Sequence, residues 1–399
     1  MQQHRIIVLG AGYTGAIAAG RVAKRLRRED VSVTLVNAEP DFVERVRMHQ
    51  LAAGQDLTPR PFSEMFAGTG VELRIGRVTA VDVERKAVTV QGAEGQEELA
   101  YDTLVYALGS AWNTQGVPGS AEYAYEIAGR PGALRLRDRL ADLAPGRPVV
   151  VVGGGLTGLE AATEFAEARP DLDIALAVRG GLGDWLSDTG RRHLRKVVDR
   201  LGITVHEHTP VVEVGAGYVT TAGGTSLPAE VTVWTTGFAV HPLAAATALE
   251  TGENGQIVVD ATMRSVSHPD VYAIGDAALV AGPGGKPLRM SCASGVPTAW
   301  QAADAIAARL TGTKIPSTAL RYFNQCISLG RKDGLIQYVT ADDRAVRAAL
   351  RGRLAALYKE LVCKGAAWGV ANPTTGLPVR RRPVAAQRPR TTPVAAEQR

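Results

Sequence analysis

The feature that most constrains the fold of this chain is a glycine-rich loop that occurs twice in the same setting. An apolar run at 6–9 leads into Gly10–Gly15 (GAGYTG), and another at 149–152 leads into Gly153–Gly158 (GGGLTG). Each loop is followed by a helical stretch and a second strand-like run. The position just past that run, Asn37 or Arg179, lies 27 or 26 residues after the first glycine. One G-x-G-x-x-G is a weak signal, but two in this context predict two dinucleotide-binding β-α-β units.

The glycines of such a loop have separate physical roles. Gly10 makes the tight turn, Gly12 lets a pyrophosphate approach the backbone, and Gly15 lets the helix pack on the strand. The second loop has glycines at the same three places, Gly153, Gly155 and Gly158. We expect the whole first loop, with Tyr13 and Thr14, to contact a nucleotide at the helix N-terminus. The repeat disfavours the alternative of a turn without a ligand.

The residues that end each second strand bear on the choice of nucleotide. The first unit ends in Asn37, with Glu39 two positions on, and the second ends in Arg179. An acid there binds ribose hydroxyls, whereas an arginine can hold a 2′-phosphate. We therefore expect the second site to accept NADPH at least as well as NADH, unless Arg179 is an ordinary surface residue.

Length and composition indicate a globular protein of two or three domains. The chain has 399 residues, of which 45% are hydrophobic and 21% charged. Its three cysteines form no C-x-x-C pair, which argues against a disulfide scaffold or a zinc ribbon and fits a reducing compartment. No metal site is evident.

The net charge of +5 lies in the C-terminal tail. Residues 373–399 contain six arginines and one glutamate, so the first 372 residues are neutral. The body therefore gives no indication of a nucleic-acid partner, and the tail has the composition of a disordered segment. No apolar run approaches the ~20 residues of a membrane span, and no signal-peptide core is evident. These features predict a cytoplasmic protein, either free or peripheral on the inner face of the membrane.

Five motifs in order resemble the two-dinucleotide-binding-domain flavoproteins, FAD-dependent pyridine nucleotide oxidoreductases. They are GAGYTG, YDTLVYALGS (101–110), GGGLTGLE, VTVWTTG (231–237) and VYAIGDAA (271–278). Over roughly 5–310 the chain is most similar to type II NADH dehydrogenases and their ferredoxin-reductase-like relatives. The resemblance implies FAD on the first glycine loop and NAD(P)H on the second.

The resemblance also implies an α/β architecture with two Rossmann-like three-layer domains. The FAD domain is expected to be discontinuous, and a small α+β region follows it. The predicted boundaries are 1–112 and 253–317 for the FAD domain, 113–252 for the NAD(P)H domain, 318–372 for the C-terminal region and 373–399 for the tail.

Further cofactor contacts follow from the same motifs. In the family, Asp276 contacts FAD near the ribityl–pyrophosphate part, and neighbouring motif positions line the cofactor sites: Ala107, Gly109, Gly237, Gly275, Val296 and Pro297. A helix predicted over 298–310 points its N-terminus at the flavin, where it stabilises the charge of the reduced ring. Ordinary helix capping would use the same residues.

Departures from the family pattern bear on which residue binds the ribose and on which class of enzyme the chain resembles. Asn37 stands where the family has an acid, so Glu39 or Asn37 must serve in its place, and Leu108 replaces a threonine. No C-x-x-x-x-C follows the first unit. A disulfide reductase needs that thiol pair, which argues against a glutathione- or lipoamide-reductase type of enzyme.

Two residues are candidates for chemistry beside the cofactors. Relatives place a glutamate near the stacked nicotinamide and flavin at the position of Glu160, although a solvated first-turn acid is the alternative. His49 follows the segment that in relatives runs beneath the flavin, where it either relays protons or is structural. Cys292 has no partner cysteine and is expected to be a small buried thiol.

A helix predicted over 342–364 carries a continuous apolar stripe flanked by cations. The stripe comprises Val346, Leu350, Leu354, Leu357 and Leu361, and the cations are Arg344, Arg347, Arg351, Arg353, Lys359 and Lys364. Type II dehydrogenases use similar helices to rest on membranes. The helix either meets an anionic membrane surface or packs on the body or on a second subunit of a homodimer.

Together these features predict an FAD-dependent NAD(P)H oxidoreductase. Hydride would pass from nicotinamide C4 to flavin N5, and electrons would then leave to a quinone-like acceptor. Two other functions stay open: a reductase of a small redox protein such as ferredoxin or rubredoxin, and a redox-sensing flavoprotein that acts as an interaction module.

Overall fold

The computed structural model describes residues 3–317, 319–376 and 379–385. Helices, in chain order, are α1 (Tyr13–Arg25), α2 (Met48–Ala52), α3 (Phe62–Met65), α4 (Ser120–Tyr123), α5 (Arg130–Ala141), α6 (Leu156–Ala168), α7 (Asp188–Arg200), α8 (Cys292–Thr311) and α9 (Arg353–Ala371). Short 3₁₀ turns lie at Arg45–Arg47, Gly275–Ala277 and Pro283–Gly285.

The strands of the first part of the chain are β1 (His4–Leu9), β2 (Val31–Asn37), β3 (Val71–Ile75), β4 (Arg77–Asp82), β5 (Ala87–Gly92), β6 (Gly95–Ala100), β7 (Thr103–Tyr106) and β8 (Ser110–Trp112). Those of the middle part are β9 (Ala124–Tyr125), β10 (Pro148–Val152), β11 (Asp173–Ala177), β12 (Thr204–His206), β13 (Val211–Gly215), β14 (Tyr218–Thr221), β15 (Ser226–Pro228), β16 (Val231–Trp234) and β17 (Phe238–Val240). The last part has β18 (Ile257–Val258), β19 (Val271–Ala273), β20 (Ala278–Leu279), β21 (Asn324–Ser328), β22 (Gly334–Val339) and β23 (Ala345–Arg351).

Two five-stranded parallel sheets form the framework. The first has the order β19-β7-β1-β2-β3, and the second has the order β12-β11-β10-β16-β9. In their central strands, residues 6–9 of β1 and 149–152 of β10 are buried runs of valine, isoleucine and leucine, as expected of strands covered on both faces. The predicted α/β class with two Rossmann-like units is confirmed.

The first sheet is built from two separate parts of the chain. Strand β19 pairs with β7 after the chain has completed the second sheet, so the first unit is discontinuous. Where the chain passes between the two units, β8 and β17 pair antiparallel. Helix α8 follows β19 and packs on α1, which brings the end of the first unit back over its beginning. The residue boundaries assigned to each domain stay a prediction.

The C-terminal region corrects one sequence prediction. Residues 342–364 do not form a single helix, because Ala345–Arg351 is strand β23, paired with β22, and α9 begins only at Arg353. Gly352 separates the two elements with φ +74° and ψ −151°, a conformation open essentially to glycine alone. The exposed backbone edge of β22 takes up β23, and this pairing overrides the local helical periodicity.

Helix α8 begins earlier than the sequence indicated. It spans Cys292–Thr311 rather than 298–310, so Pro297, which directly precedes the predicted start, lies inside the helix. Because proline has no N–H, the Ala293 carbonyl does not accept the usual helical hydrogen bond from the residue four positions later. Cys292, expected to be buried, is half-buried.

The tail prediction is wrong for the part of it that the structure describes. Arg382 forms an isolated parallel bridge with Leu26, and the Val384 N–H donates to the Asp30 carboxylate at 3.0 Å. Backbone hydrogen bonds therefore hold 379–385 against the body, where arginine content alone had suggested disorder. Residues 377–378 and 386–399 lie outside the described residues. In the described part of the chain, every helix is too short or too polar to cross a membrane.

Candidate active site

A cavity of about 1710 Å³ connects the two glycine loops with the inner face of α9. Its walls include Gly10–Thr14 of the first loop, Gly153–Thr157 of the second, and Lys359 and Cys363 of α9. Parallel sheets bind ligands in the crevice at the carboxyl ends of their strands, and both loops follow such ends. The site therefore lies where the two units and the C-terminal region meet.

The three glycines of the first loop have different surroundings. Gly10 has φ +89°, and a Cβ there would lie 2.5 Å from the Ala107 carbonyl oxygen. A Cβ on Gly15 would lie 1.8 Å from the Gly10 carbonyl oxygen, whereas one on Gly12 would meet no protein atom within 4 Å. Gly10 and Gly15 are thus needed for the fold, and Gly12 faces open space in the cavity.

The second loop repeats this geometry. Gly153 has φ +126°, a Cβ on Gly158 would lie 1.9 Å from the Gly153 carbonyl oxygen, and a Cβ on Gly155 would meet nothing within 4 Å. Packing within the protein does not explain why glycine stands at Gly12 and Gly155, where a Cβ would meet only open space. A ligand that passes close to the backbone does.

The helix ends beside these glycines carry unused donors. Gly12 is the N-cap of α1 and Gly155 is that of α6, and neither cap residue offers a side-chain acceptor to its helix. In contrast, Ser187 accepts a hydrogen bond from the Gly190 N–H at the start of α7. The free N–H groups and the positive dipole ends of α1 and α6 suit two anionic phosphates. The residues present therefore fit two dinucleotides.

Asn37 and Glu39 differ in what their side chains can do. The Asn37 Oδ1 accepts from the Ala11 N–H at 2.9 Å, and its Nδ2 donates to the Glu39 carbonyl at 2.8 Å. Asn37 therefore holds the glycine loop. Glu39 is exposed, lines the cavity and leaves its carboxylate available to a ribose.

The opposite wall of the first site comes from the returning part of the unit. Asp276 lies in the 3₁₀ turn after β19, and its carboxylate accepts from the Ser110 hydroxyl at 2.6 Å. The Gly275 N–H donates to the Thr298 hydroxyl at 3.2 Å, which fixes this turn against α8. Other predicted residues also line the cavity: Tyr13, Thr14, Ala107, Gly109, Gly237, Val296 and Pro297. Sequence reasoning did not find Ser110, although it is the last residue of the second motif.

Arg179 lies at the mouth of the second loop. Its side chain is exposed, lines the cavity and donates to the Gln115 side-chain oxygen at a long 3.4 Å. Gln115 lies on the connection between the two units and was not a sequence candidate. Because Arg179 contacts the neutral Gln115 and pairs with no carboxylate among the described residues, its charge is available to a ligand.

Glu160 is not the solvated first-turn acid of the alternative prediction. It is 8% exposed, and its Oε1 accepts from the Lys359 ammonium and from the Ser328 N–H, both at 2.9 Å. Burial alone would raise the pKa of Glu160, but the Lys359 ammonium favours the carboxylate, and the pKa lies below its usual value. Burial likewise opposes the charge of Lys359, yet the Glu160 carboxylate raises the pKa of that ammonium. The pair is thus ionised at the cavity wall.

The sequence grouped Lys359 with the cations that flank the apolar stripe, but the structure turns its side chain inwards, with 16% of it exposed. A signal in the sequence could have placed it correctly, because Lys359 belongs to a stripe of small residues at spacings of three and four. The other members of that stripe are Ala355, Cys363, Ala367 and Val370, and all of them are buried.

His49 is buried on α2, and its Nε2 has no hydrogen-bond partner within the described structure. Burial lowers the pKa of His49 to about 4, and the nearby Glu160 carboxylate only partly opposes this effect. The imidazole lines the cavity and is neutral at pH 7, so it can donate or accept one hydrogen bond there.

Comparison with known proteins identifies the group to which the chain is similar. The family model for pyridine nucleotide-disulphide oxidoreductases matches residues 4–307. The chain is 30% identical over 300 residues to an NADH dehydrogenase-like protein of Mycobacterium tuberculosis, covering 69% of this chain and 72% of that protein. It is 25% identical over 371 residues to demethylphylloquinone reductase NdbB of Synechocystis, covering 89% and 92%.

Solved structures of the same fold cover most of the chain. NDH2 from Plasmodium falciparum in complex with NADH has a TM-score of 0.78 at 17% identity, covering 94% of this chain and 97% of that one. Sulfide:quinone oxidoreductase from Aquifex aeolicus has a TM-score of 0.76 at 18% identity, covering 93% and 92%. In the described structure Cys292, Cys326 and Cys363 are all free. The chain belongs to the pyridine nucleotide-disulphide oxidoreductase family and is an oxidoreductase with FAD and NAD(P)H as its cofactors.

Proposed function

We propose that this protein passes reducing equivalents from NAD(P)H, through FAD, to a quinone. The observation that carries the proposal is the continuity of the cavity from both glycine loops to the inner face of α9. An acceptor that enters beneath α9 would reach the same space that the two dinucleotides share. The demethylphylloquinone reductase of Synechocystis, similar over 89% of this chain, supports a quinone as that acceptor.

Each residue of the site has a proposed part in holding the cofactors. Gly12 and the N-terminus of α1 bind the FAD pyrophosphate, Glu39 binds its adenosine ribose, and Asp276 contacts the ribityl–pyrophosphate part. Gly155 and the N-terminus of α6 bind the nicotinamide nucleotide. When bound, FAD supplies the hydride acceptor and the site from which electrons leave.

The remaining side chains shape the reaction space. The carboxylate of Glu160, held by Lys359, offers a fixed acceptor for hydrogen bonds at the cavity wall. The neutral His49 imidazole offers one further polar group from α2. We propose that these groups orient the nicotinamide and the acceptor, and that the apolar walls exclude water.

We further propose that α9 docks on an anionic membrane surface, where quinones reside. Its outer face exposes Leu354, Leu357, Leu361 and Trp368, with exposed fractions of 56–67%. The described part of the chain leaves this face uncovered, while Lys359 and Cys363 on the inner face line the cavity. An apolar face of this kind suits a lipid surface, and a second copy of the chain is the outcome to be distinguished.

The test of the function is steady-state oxidation of NAD(P)H by purified, flavin-loaded protein with competing acceptors. Menadione should support the fastest turnover, with slower rates for ferredoxin and oxygen. Preference for ferredoxin would assign the protein to the small-redox-protein reductases. Flavin reduction with negligible turnover on every acceptor would indicate an interaction module instead of an enzyme.

A further inference from the structure

A second buried glutamate lies one helical turn beyond Glu160, and nothing in the proposed function uses it. Glu164 is 1% exposed on α6. Its Oε1 accepts a hydrogen bond from the Gln55 amide, and its Oε2 has no partner within the described residues. Since buried polar atoms in proteins are almost always hydrogen-bonded, an orphan carboxyl oxygen requires an explanation.

Glu164 belongs to a row of acidic side chains that runs along α6 from the cavity outwards. Glu160 is at the cavity wall, Glu164 follows four residues later, and Glu167, half-buried, comes three residues after that. Residues three and four apart on a helix lie on one face as neighbours. The row therefore extends from the cavity wall towards the protein surface.

The end of β21 and the turn that follows it dock on this face of α6 and fix it. Their backbone N–H groups donate to α6 side chains, from Ser328 to Glu160 at 2.9 Å and from Arg331 to Glu167 at 3.0 Å. These bonds hold the first and last acids of the row as acceptors. Glu164, between them, receives no backbone donor from the turn.

The surroundings of Glu160 and Glu164 shift the pKa values of their carboxyl groups in opposite directions. Lys359 and the Ser328 N–H keep Glu160 ionised, whereas burial raises the pKa of Glu164 to about 7. The groups that face Glu164 are the Arg331 guanidinium and Gln55, which favour its carboxylate, and Glu160 and Glu167, which oppose it. A protonated acid next to an ionised one is the arrangement that lets a proton move between them. His49, with a pKa of about 4, holds no extra proton at pH 7.

We propose that Glu164 relays the solvent proton needed for quinone reduction, receiving it by way of Glu167 and passing it to Glu160 at the cavity. The inference rests on the proposed quinone reductase function. The overall reaction is NAD(P)H + quinone + H⁺ → NAD(P)⁺ + quinol, which takes one proton from solution in each turnover. With ferricyanide, NAD(P)H + 2 ferricyanide → NAD(P)⁺ + H⁺ + 2 ferrocyanide, and no proton is taken up.

This difference in proton demand supplies the kinetic test, on the flavin-loaded protein. Glu164→Gln keeps the shape and the Gln55 contact but cannot carry a proton. At pH 7 and above we expect its menadione turnover to fall by about tenfold or more, the usual scale of lost acid–base catalysis, with ferricyanide turnover within about twofold of the unsubstituted protein. Glu164→Asp, which still titrates, should recover part of the menadione rate. The menadione turnover of this variant should still depend on pH.

The outcomes separate this inference from the function on which it rests. Normal menadione turnover of Glu164→Gln at every pH would overturn the relay alone, and so would an equal loss with both acceptors, which indicates a structural role. If the unsubstituted protein reduces ferricyanide but no quinone, the proposed function fails and the relay fails with it.

Thermal melts provide a readout that does not depend on turnover. A carboxyl group whose pKa is higher in the folded state than in the unfolded state contributes stability that is complete below the unfolded value and is lost as pH rises through the folded value. Between pH 5 and pH 8 the Tm of the unsubstituted protein should therefore drop relative to Glu164→Gln by at least about 2 °C. A Tm difference that stays constant over this range would show that Glu164 does not titrate there, and would overturn the proposal.

Discussion

At the scale of single residues, Gly12 and Gly155 form a matched pair. Both cap a helix at the end of a glycine loop, and at both a Cβ would project into the cavity without touching the protein. A substitution at either position should therefore leave the fold intact and affect only the ligand of that loop.

Gly12→Val should yield folded protein with little bound flavin, because the branched side chain would occupy the path of the pyrophosphate. Flavin absorbance per chain after gel filtration measures this directly. Gly155→Val is the control, and it should keep its flavin while reduction of that flavin by NAD(P)H becomes slow. Full flavin content in Gly12→Val would mean that FAD is not held by the first loop.

Arg179 offers a test of coenzyme choice. With no carboxylate partner in the described structure, its guanidinium can bind a 2′-phosphate, and we expect NADPH to be used at least as well as NADH. Arg179→Glu removes that partner and adds repulsion, so the ratio of kcat/KM for NADPH to that for NADH should fall by about tenfold or more. Arg85→Glu, in the exposed turn between β4 and β5 of the first unit, should leave the ratio unchanged. An unaltered ratio in Arg179→Glu would assign the arginine to the ordinary surface.

At the scale of elements, α9 has two faces with different roles. Small residues and Lys359 face inwards, and Leu354, Leu357 and Leu361 face outwards. The apolar stripe is therefore shorter than the sequence predicted, since Val346 and Leu350 belong to β23. Packing of the outer leucines on the body, one of the predicted alternatives, does not occur in the described structure.

Leu354→Glu combined with Leu357→Glu should abolish binding to anionic vesicles and leave Tm nearly unchanged, because both side chains are exposed in the folded protein. Co-sedimentation at low and high salt measures the binding, which should weaken as salt screens the cations. Val266→Glu, an exposed apolar residue away from α9, is the matched control and should bind as the parent does. Absence of vesicle binding by the parent at low salt would contradict the membrane proposal, and a dimer that dissociates on the double substitution would point to a second copy.

At the scale of the whole molecule, the site depends on contacts between distant parts of the chain. The Glu160–Lys359 ion pair joins the second unit to α9, and Arg47 joins the first unit to α9 through two hydrogen bonds of 3.0 Å to Glu360. Both interactions are partly or wholly buried, so their loss should lower the free energy of unfolding as well as alter the chemistry of the site.

Lys359→Met should lower the free energy of unfolding by about 3–5 kcal/mol, because it leaves the Glu160 carboxylate buried without its cation. Urea titration followed by circular dichroism measures this loss. Lys364→Met is the control on the same helix, and since the Lys364 side chain is 68% exposed in its pair with Glu360, the loss there should stay below about 1 kcal/mol. Glu160→Gln in the Lys359→Met background should recover part of the stability. Equal losses in the two single variants would indicate that the Glu160–Lys359 pair is not effectively buried.

Local sequence was sufficient for the features that depend on the shape of one short segment. Glycine lacks a Cβ. The spacing of Gly10, Gly12 and Gly15 therefore indicates by itself a tight turn at the first, room for a ligand beside the backbone at the second, and close helix–strand packing at the third. The repeat at Gly153, and the strand runs that precede both loops, were likewise enough to predict the two parallel sheets.

Tertiary structure decided the features that depend on partners far away in the chain. Helical periodicity suggested one helix over 342–364, but the edge of β22 and the conformation at Gly352 make part of it a strand. In the sequence Lys359 resembles a surface cation, and only the fold places it against Glu160. Glu164 is exceptional only because the fold buries it and leaves one of its carboxyl oxygens without a partner among the described residues. Burial, desolvation and pairing of charges are set by whatever the fold brings next to a side chain, and no short window of sequence contains that neighbour.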